Sequence, residues 1–387
     1  MKTDLRLSSP YDPEQLEALA AQFGSPLFVI DCDALRRQYH SLARALPGVD
    51  LHYALKPLPD RTVVQVLARE GSWFDLASNG EVDLVRDSGI PPRRCVHTHP
   101  IKRGSDIRHA LDFGVRTFVV DNAEEMAKFV VSRKRVRLLL RVSFRNPDTI
   151  IDLSRKFGCD ADAAVGLIER AQGLGLRVVG LSFHAGSQLP NPGKYVEAID
   201  TCGRVVAETA ARGLPPLEVL DIGGGFPIDY LEPVTPIDAF CAPIRAALAR
   251  LPAGLRIIAE PGRYICGPAV VAISTVMGRS RREGRWWYYL DDGIYGTYSG
   301  QLYDKMRFPL EPLTGPDRPR EPCVISGPTC DSLDVIAEDL PMPVLEVGER
   351  LVGRQIGAYT MACATDFNFF PRAKVVAVNV ERGSGEQ

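Results

Sequence analysis

The 387-residue sequence has no long hydrophobic run, little net charge and no clustered cysteines. No segment approaches the roughly 18 apolar residues of a membrane-spanning helix, and the polar Met1–Gln15 lacks a signal-peptide core. A formal net charge of -2 gives no reason to expect nucleic acid or an anionic membrane as partner. Nine cysteines without a Cys-x-x-Cys pair indicate a reduced, cytoplasmic protein, and six dispersed histidines predict no metal site.

Short apolar stretches alternate with segments of helical spacing over the first two thirds of the chain. This alternation predicts parallel βα units, and eight of them predict an α/β fold with a closed (β/α)8 TIM barrel. The predicted strands are Leu51–Leu55, Trp73–Leu76, Cys95–His99, Thr117–Val120, Arg137–Val142, Val178–Phe183, Leu217–Ile222 and Arg256–Ala259.

Beyond about Pro268 the pattern changes to short alternating stretches separated by glycine and proline. It predicts a mainly antiparallel β domain, with the proline-rich Phe308–Pro322 as an exposed loop. The chain is too long for one ordinary core, so two domains are expected. We predict residues 1–31 as an N-terminal segment that joins the β domain, 32–268 as the barrel, and 269–387 as the C-terminal β domain.

A lysine directly follows the first predicted strand, in the sequence His-Tyr-Ala-Leu-Lys-Pro that ends at Pro57. Barrel active sites lie where the strands end, and partial desolvation there would lower the pKa of Lys56 and free its amine as a nucleophile. A solvated loop lysine is an equally good interpretation of this position by itself.

Three further motifs follow the later strands. Gly223, Gly224 and Gly225 let backbone N–H groups approach a phosphate, although glycine-rich turns are common by themselves. In Glu260-Pro261-Gly262-Arg263 the carboxylate suits a protonated pyridine nitrogen and Gly262 and Arg263 suit a phosphate, although a surface salt-bridged turn is the simpler interpretation. His184 can stack on a planar ring and Ser187 can donate to phosphate, but a lone histidine is more often a core residue.

Together these residues describe a site for pyridoxal 5'-phosphate: a lysine for the aldehyde, a partner for the pyridine nitrogen, a stacking ring and a phosphate cradle. The conjunction is far more specific than any member. The motifs resemble those of the fold type III (alanine racemase-like barrel) pyridoxal phosphate decarboxylases, above all the eukaryotic-type ornithine decarboxylases, over nearly the whole chain. One departure is Pro57, which is not the residue that usually follows the cofactor lysine.

The resemblance implies further roles. Asp75 contacts the lysine region, Arg141 lies near the cofactor, and Tyr359 binds the phosphate. Cys330 protonates the substrate carbon and, with Asp331, is contributed by the other subunit of a head-to-tail homodimer with shared active sites. Asp304 and Asp331 bind the distal end of the substrate, which Tyr303 and Phe367 line.

The expected reaction is therefore decarboxylation of a basic L-amino acid, first of all L-ornithine to putrescine. A dual-specificity lysine/ornithine decarboxylase stays open, because one methylene changes binding by only about 1–3 kcal/mol. A decarboxylase of a modified or carrier-bound amino acid stays open as well, because the resemblance extends to relatives that decarboxylate such compounds. A racemase is disfavoured by the Cys330-Asp331 pair, and a catalytically inactive regulatory homologue by the retained cofactor residues.

Overall fold

The computed structural model describes residues 12–145, 153–313, 315 and 317–381. It divides into two compact units: a barrel unit made of Tyr39–Pro227 and Val234–Tyr264, and a β unit made of the other described residues. Residues 1–11 of the predicted N-terminal segment lie outside the described ranges. The predicted domain boundaries after residues 31 and 268 stay predictions.

The first described elements are α1 (Pro13–Phe23), β1 (Leu27–Asp31) and α2 (Cys32–Ala45). Helix α1 begins at Pro13 because Asp12 accepts the backbone N–H of Glu14 at 3.0 Å, and proline has no N–H that needs a partner.

The barrel unit confirms the predicted (β/α)8 barrel. Eight parallel strands close on themselves, with β2 hydrogen-bonded to β9 through the pair Leu51 and Ala259. The strands are β2 (Val49–Ala54), β3 (Trp73–Leu76), β4 (Cys95–His97), β5 (Thr117–Val120), β6 (Arg137–Arg141), β7 (Val178–Ser182), β8 (Val219–Asp221) and β9 (Arg256–Ala259). The helices that follow are α3 (Arg61–Arg69), α4 (Asn79–Asp87), α5 (Gly104–Phe113), α6 (Ala123–Ala127), α7 (Ala161–Gly173), α8 (Gly193–Ala211), α9 (Ile237–Leu248) and α10 (Arg263–Cys266).

Apolar side chains of the barrel strands fill its interior, as in other barrels of this type. They form one buried apolar cluster of Val96, Val119, Leu139, Val179, Val219 and Ile258. The helices start close to the strand ends because polar residues cap them: Asp60 accepts from Thr62 and Val63 at the start of α3, and Asn122 accepts from Glu125 at the start of α6. The strand ends and the turns after them are thus held in place on both sides.

The β unit is mainly antiparallel, as predicted. Its elements are β10 (Val270–Arg282), β11 (Arg285–Leu290), α11 (Gly300–Tyr303), β12 (Leu310–Pro312), β13 (Arg320–Ser326), β14 (Val335–Pro343), β15 (Arg350–Gly353) and β16 (Lys374–Val378). The sheet order is β12-β15-β10-β11-β13-β14, and β1 pairs antiparallel with β10 and parallel with β16. Apolar residues of α1 and β1, among them Leu16, Leu19 and Leu27, share a buried cluster with Ile273 and Val352.

The expectation that Phe308–Pro322 is only a loop is wrong in part. Leu310–Pro312 forms an edge strand on β15, and β13 already begins at Arg320. Proline is tolerated there because an edge strand has one side without ladder hydrogen bonds.

No helix within the described ranges is both long and apolar enough to span a bilayer. All nine cysteines are free thiols. Cytoplasmic location stays a prediction.

Truncation in the barrel core should destabilise the protein. Leu181 in β7 has no exposed surface, so Leu181→Ala should lower the free energy of unfolding by about 3 kcal/mol through lost apolar burial and a residual cavity. Val131, which is 91% exposed, is the matched control, and Val131→Ala should change stability by less than about 0.5 kcal/mol. Urea denaturation of both variants measures this, and equal midpoints would contradict the burial argument.

Candidate active site

The amine of Lys56 lies against a buried carboxylate at the carboxyl ends of β2 and β3. Lys56 Nζ donates to Asp75 Oδ2 at 2.6 Å, and the hydroxyl of Thr98 donates to the other oxygen of Asp75. The Asp75 side chain is 1% exposed and that of Lys56 is 36% exposed. The lysine is therefore held by an ion pair on one side and accessible on the other. Thr98 has no motif around it and sequence reasoning missed it.

Glu81 is a second carboxyl group near this pair. Its side chain accepts the backbone N–H of Ala77, so it reaches back from α4 toward the end of β3. Burial raises the pKa of Glu81 to about 7, with the charge of Asp75 acting in the same direction and Lys56 opposing it. A carboxyl group with this pKa can hold or release a proton near neutral pH.

A pair of carboxyl groups lies at the ends of β8 and β9. Asp221 is fully buried and accepts the N–H of Gly223 at 2.8 Å, while its Oδ2 and the Oε1 of Glu260 receive no hydrogen bond from the described residues. Burial is the main cause that raises the pKa of Asp221 to about 7 and that of Glu260 well above its ordinary value. For Glu260 the neighbouring Asp221 acts in the same direction. The site thus contains a carboxyl pair that needs a proton or a cationic partner.

The guanidinium of Arg141 lies at the end of β6. Its Nη2 is buried without a hydrogen-bond acceptor among the described residues, and the group lies 5.5 Å from the ring of Phe157. Burial lowers the pKa of Arg141, while Glu260 and Asp121 oppose that shift. Arg141 is a donor that an incoming anionic or polar group could satisfy.

The glycine turn after β8 requires glycine at all three positions. A Cβ on Gly223, Gly224 or Gly225 would lie 2.3, 2.4 and 2.0 Å from the carbonyl oxygens of Phe183, Glu260 and Gly186. Gly223 and Gly225 also have positive φ angles of 68° and 115°. The hydroxyl of Tyr195 donates to the Gly224 carbonyl at 2.7 Å and braces the turn. No side chain therefore blocks the approach to the backbone here.

His184 and Ser187 flank this turn. The imidazole Nδ1 of His184 accepts the N–H of Gly186 at 3.2 Å, which leaves the protonated nitrogen at Nε2. Burial, with the charges of Arg141 and Lys56, lowers the pKa of His184 well below its ordinary value, so the ring is neutral. The guanidinium of Arg263 donates from Nη2 to Ser187 Oγ at 3.1 Å.

Pro57 packs on the turn that carries Glu260. Its Cγ would lie 2.6 Å from a Cβ on Gly262, and the carbonyl of Pro261 accepts the N–H of Ala54 at 3.1 Å. The unusual proline after Lys56 therefore fits because position 262 has no side chain.

The remaining predicted residues belong to the β unit. Cys330 is exposed, and both its backbone N–H and its thiol donate to Asn368 Oδ1 at 3.1 Å. Asn368 is held with a positive φ of 55°, which asparagine tolerates. Asn368 was missed from the sequence because it lies 38 residues beyond Cys330 without a motif of its own.

Asp334 connects the loop that carries Cys330 to the segment after β11. Its Oδ2 accepts the N–H of Thr329 at 3.0 Å, its Oδ1 accepts that of Ile294 at 2.9 Å, and its carbonyl accepts that of Gly327 at 2.8 Å. A Cβ on Gly293 or Gly327 would lie 2.2 Å from Asp334 Oδ1. Buried Asp334 thus positions the Cys330 loop, a role that sequence reasoning missed.

Tyr295 contacts both Asp331 and Phe367. The Tyr295 hydroxyl donates to Asp331 Oδ2, and its ring centroid lies 4.7 Å from that of Phe367. The N–H of Leu333 and the Tyr295 hydroxyl lower the pKa of Asp331, so this carboxylate is charged at neutral pH.

The other predicted residues of the β unit occupy separate turns. Tyr303 is 55% exposed at the end of α11, and Asp304, which follows it, is 5% exposed. Tyr359 follows Gly357-Ala358 with a positive φ of 56°.

The structure therefore divides the predicted residues between its two units. The barrel unit assembles Lys56, Asp75, Arg141, His184, Ser187, Gly223, Gly224, Gly225, Glu260, Gly262 and Arg263 at the carboxyl ends of its strands. The β unit carries Tyr303, Asp304, Cys330, Asp331, Tyr359 and Phe367.

The barrel group fits pyridoxal phosphate. It offers an accessible amine for an aldehyde, a carboxyl oxygen without a donor that suits a protonated pyridine nitrogen, and a glycine turn open to a phosphate. These features define a barrel enzyme of the pyridoxal phosphate class.

Comparison with known proteins agrees with this geometry. Residues 32–267 match the family model described as pyridoxal-dependent decarboxylase, pyridoxal binding domain. A lysine/ornithine decarboxylase from Selenomonas ruminantium is 33% identical over 94% of this chain and 92% of its own length. An ornithine decarboxylase from Schizosaccharomyces pombe is 34% identical over 95% of this chain and 88% of its own.

A lysine/ornithine decarboxylase from Vibrio vulnificus has been crystallised with putrescine and with cadaverine. Its putrescine complex superposes with a TM-score of 0.92 at 52% identity, over 97% of this chain and 100% of that one. The chain belongs to the pyridoxal-dependent decarboxylase family, its cofactor is pyridoxal 5'-phosphate, and the resemblance inferred from the sequence motifs is confirmed.

A side chain in the glycine turn should prevent cofactor binding. Gly225→Ala places a Cβ against the Gly186 carbonyl at a φ of 115°, so the turn must shift and the affinity for pyridoxal phosphate should fall. Gly166→Ala is the matched control, since nothing lies within 4 Å of a Cβ in that helix position. Titration of the stripped protein with cofactor, followed by absorbance, compares them. Wild-type affinity in Gly225→Ala would exclude this turn as the cradle.

Proposed function

We propose that this enzyme decarboxylates a basic L-amino acid, with L-ornithine, giving putrescine, as the preferred substrate. The observation that carries the proposal is the high similarity along the full chain to an enzyme crystallised with both putrescine and cadaverine. Conversion of lysine to cadaverine alongside ornithine is therefore the second candidate.

The barrel residues bind and tune the cofactor. Bound pyridoxal phosphate serves as the electron sink for the carbon that loses carbon dioxide. Lys56 would hold the aldehyde carbon of the cofactor, and Asp75 orients the lysine amine through their 2.6 Å contact. Glu260 keeps the pyridine nitrogen protonated, which makes the ring a stronger acceptor of electrons.

Neutral and cationic groups of the same unit complete the cofactor site. Neutral His184 would pack on the flat ring of the cofactor without adding charge, and the buried Nη2 of Arg141 would be available as a donor to it. The turn at Gly223, Gly224 and Gly225 holds the phosphate through backbone N–H groups, together with Ser187, Gly262 and Arg263. The resemblance to the family adds Tyr359, which belongs to the β unit, as a further hydroxyl for the phosphate.

The β unit supplies the proton and the selectivity. Cys330 donates its thiol proton to the substrate carbon after carbon dioxide departs, and Asn368 and Asp334 position its loop. Charged Asp331 and buried Asp304 bind the distal ammonium of the substrate. The same two aspartates would repel the distal carboxylate of diaminopimelate, which disfavours that substrate. Tyr303 and Phe367 line the apolar part of the substrate.

A head-to-tail homodimer with shared sites is part of this proposal. Cys330 and its neighbour Phe367 are exposed, Phe367 by 40%, and Phe369 beside them by 92%. An exposed acid group and aromatic wall of this kind suit a site completed by a second subunit. An inactive regulatory homologue is the weaker alternative, because the chain retains both Lys56 and Cys330.

The substrate is tested by competition. The cofactor-loaded enzyme is incubated with equal amounts of L-ornithine, L-lysine, L-arginine and meso-diaminopimelate, and the amine products are identified by mass spectrometry. Putrescine should predominate; putrescine with comparable cadaverine would establish dual specificity. Lys56→Ala should abolish product, whereas Lys194→Ala, a surface lysine paired with Glu197, should not. Absence of any amine would move the substrate to a modified or carrier-bound amino acid.

Subunit sharing is tested by complementation. The Lys56→Ala chain alone should be inactive. The Cys330→Ala chain alone should be slowed by about 10²–10⁴-fold through loss of the proton donor. Mixed chains that exchange subunits should regain about a quarter of wild-type activity, since half of the sites in half of the dimers are intact. Activity no higher than the sum of the separate variants would indicate that each site is built within one chain.

A further inference from the structure

A separate cavity lies in the barrel unit at the amino ends of the strands. It has a volume of about 400 Å³, and the first residues of several strands line it, among them Trp73 of β3, Thr117 of β5, Arg137 of β6 and Arg256 of β9. Lys56 and Glu260 lie at the opposite, carboxyl ends. The cofactor site therefore does not account for this cavity.

The lining has more positive than negative charge. It contains three arginines, Arg93, Arg137 and Arg256, and one carboxylate, Glu218. Two arginines pair with Glu218: Arg137 contacts one carboxylate oxygen at 2.6 Å, and Arg177 contacts the other. Arg93 pairs with no carboxylate in the described part of the chain. The cavity lining therefore contains more guanidinium donors than carboxylate acceptors.

An aromatic and an imidazole ring form part of the same wall. The guanidinium of Arg256, which Asp50 holds at 2.6 Å, lies 4.3 Å from the Trp73 ring, and His52 stacks on that ring at 5.3 Å. His52 is 3% exposed, and within the described residues neither of its ring nitrogens has a hydrogen-bond partner. A buried polar group in this state is unfavourable until a ligand or water supplies a partner.

We propose that this cavity binds a small multivalent oxyanion that carries phosphate or carboxylate groups. Guanidinium groups bind both through paired N–H donors, and the volume is that of a small-molecule site. The surplus of positive charge excludes diamines such as putrescine. Because β2 and β3 lead from His52 and Trp73 to Lys56 and Asp75, the site is suited to an effector of the enzyme.

The cavity's own tryptophan supplies the measurement. The chain has three tryptophans, so Trp286→Phe combined with Trp287→Phe leaves Trp73 as the single indole. This variant, loaded with pyridoxal phosphate so that the cofactor's phosphate site is filled, is titrated at constant ionic strength with pyrophosphate, citrate and putrescine. Fluorescence and calorimetry should show saturable binding of one anion per chain, whereas putrescine, the expected product at the active site, should leave the Trp73 fluorescence unchanged.

Arginine variants locate the bound anion. Arg93→Gln combined with Arg137→Gln should weaken the affinity at least about tenfold, whereas Arg250→Gln, paired with Asp200 elsewhere on the barrel unit, should not. Arg93→Gln alone, which breaks no ion pair in the described structure, gives the same test if the double variant does not fold. Saturation with pyrophosphate alone or citrate alone identifies the anionic group. No saturable binding of either, or undiminished affinity in the arginine variants, would overturn the proposal.

Discussion

Burial of several carboxyl groups at one end of the barrel is the constraint on which the active site depends. Asp75, Asp221 and Glu260 lie near one another there, and among the described residues the charges of Lys56 and Arg141 oppose their repulsion. Removing such charges from water is costly unless they are paired, and burial accordingly raises the pKa of Asp221 and Glu260. A protonated pyridine ring bound beside Glu260 would supply the missing positive charge. Cofactor binding would then relieve an electrostatic penalty of the fold and stabilise the native state by mass action.

In the β unit, hydrogen bonds hold the loop that carries the exposed thiol of Cys330. Exposed loops are ordinarily mobile because few contacts restrain them. Here Asp334 accepts backbone N–H groups from two segments that are far apart in the sequence, and Asn368 accepts both donors of Cys330. The thiol is thereby oriented by the Asn368 side chain and by the restrained loop, while Cys330 stays exposed to solvent.

Much of the barrel and of its site could be predicted from the sequence, since two rules apply to every strand. Alternating apolar and helical segments predict parallel strands, and the carboxyl ends of such strands share one rim, so Lys56, His184 and Glu260 had to lie together. The roles of Cys330 and Asp331 came only through resemblance to a family, because strand spacing says nothing of the loops of the β unit.

Other features left no local signal. Thr98 and Asn368 act through contacts with residues 23 and 38 positions away. The edge strand at Leu310–Pro312 was hidden by prolines, whose preference for loops was outweighed by pairing with β15. The cavity at the amino ends of the strands was equally invisible, since Arg137 and Arg256 read as ordinary surface charges in the sequence.

The contact between Pro57 and Gly262 has a consequence for anyone who recombines this chain with a relative. The ring of one residue occupies the volume that a side chain on the other would need. The two positions, 205 residues apart in the chain, thus behave as a single inherited unit. A chimera whose junction lies between positions 57 and 262 can combine Pro57 from this chain with a residue larger than glycine at position 262, and the resulting clash would displace the neighbouring Lys56. A junction before position 57 or after position 262 keeps both residues from the same parent and avoids the clash.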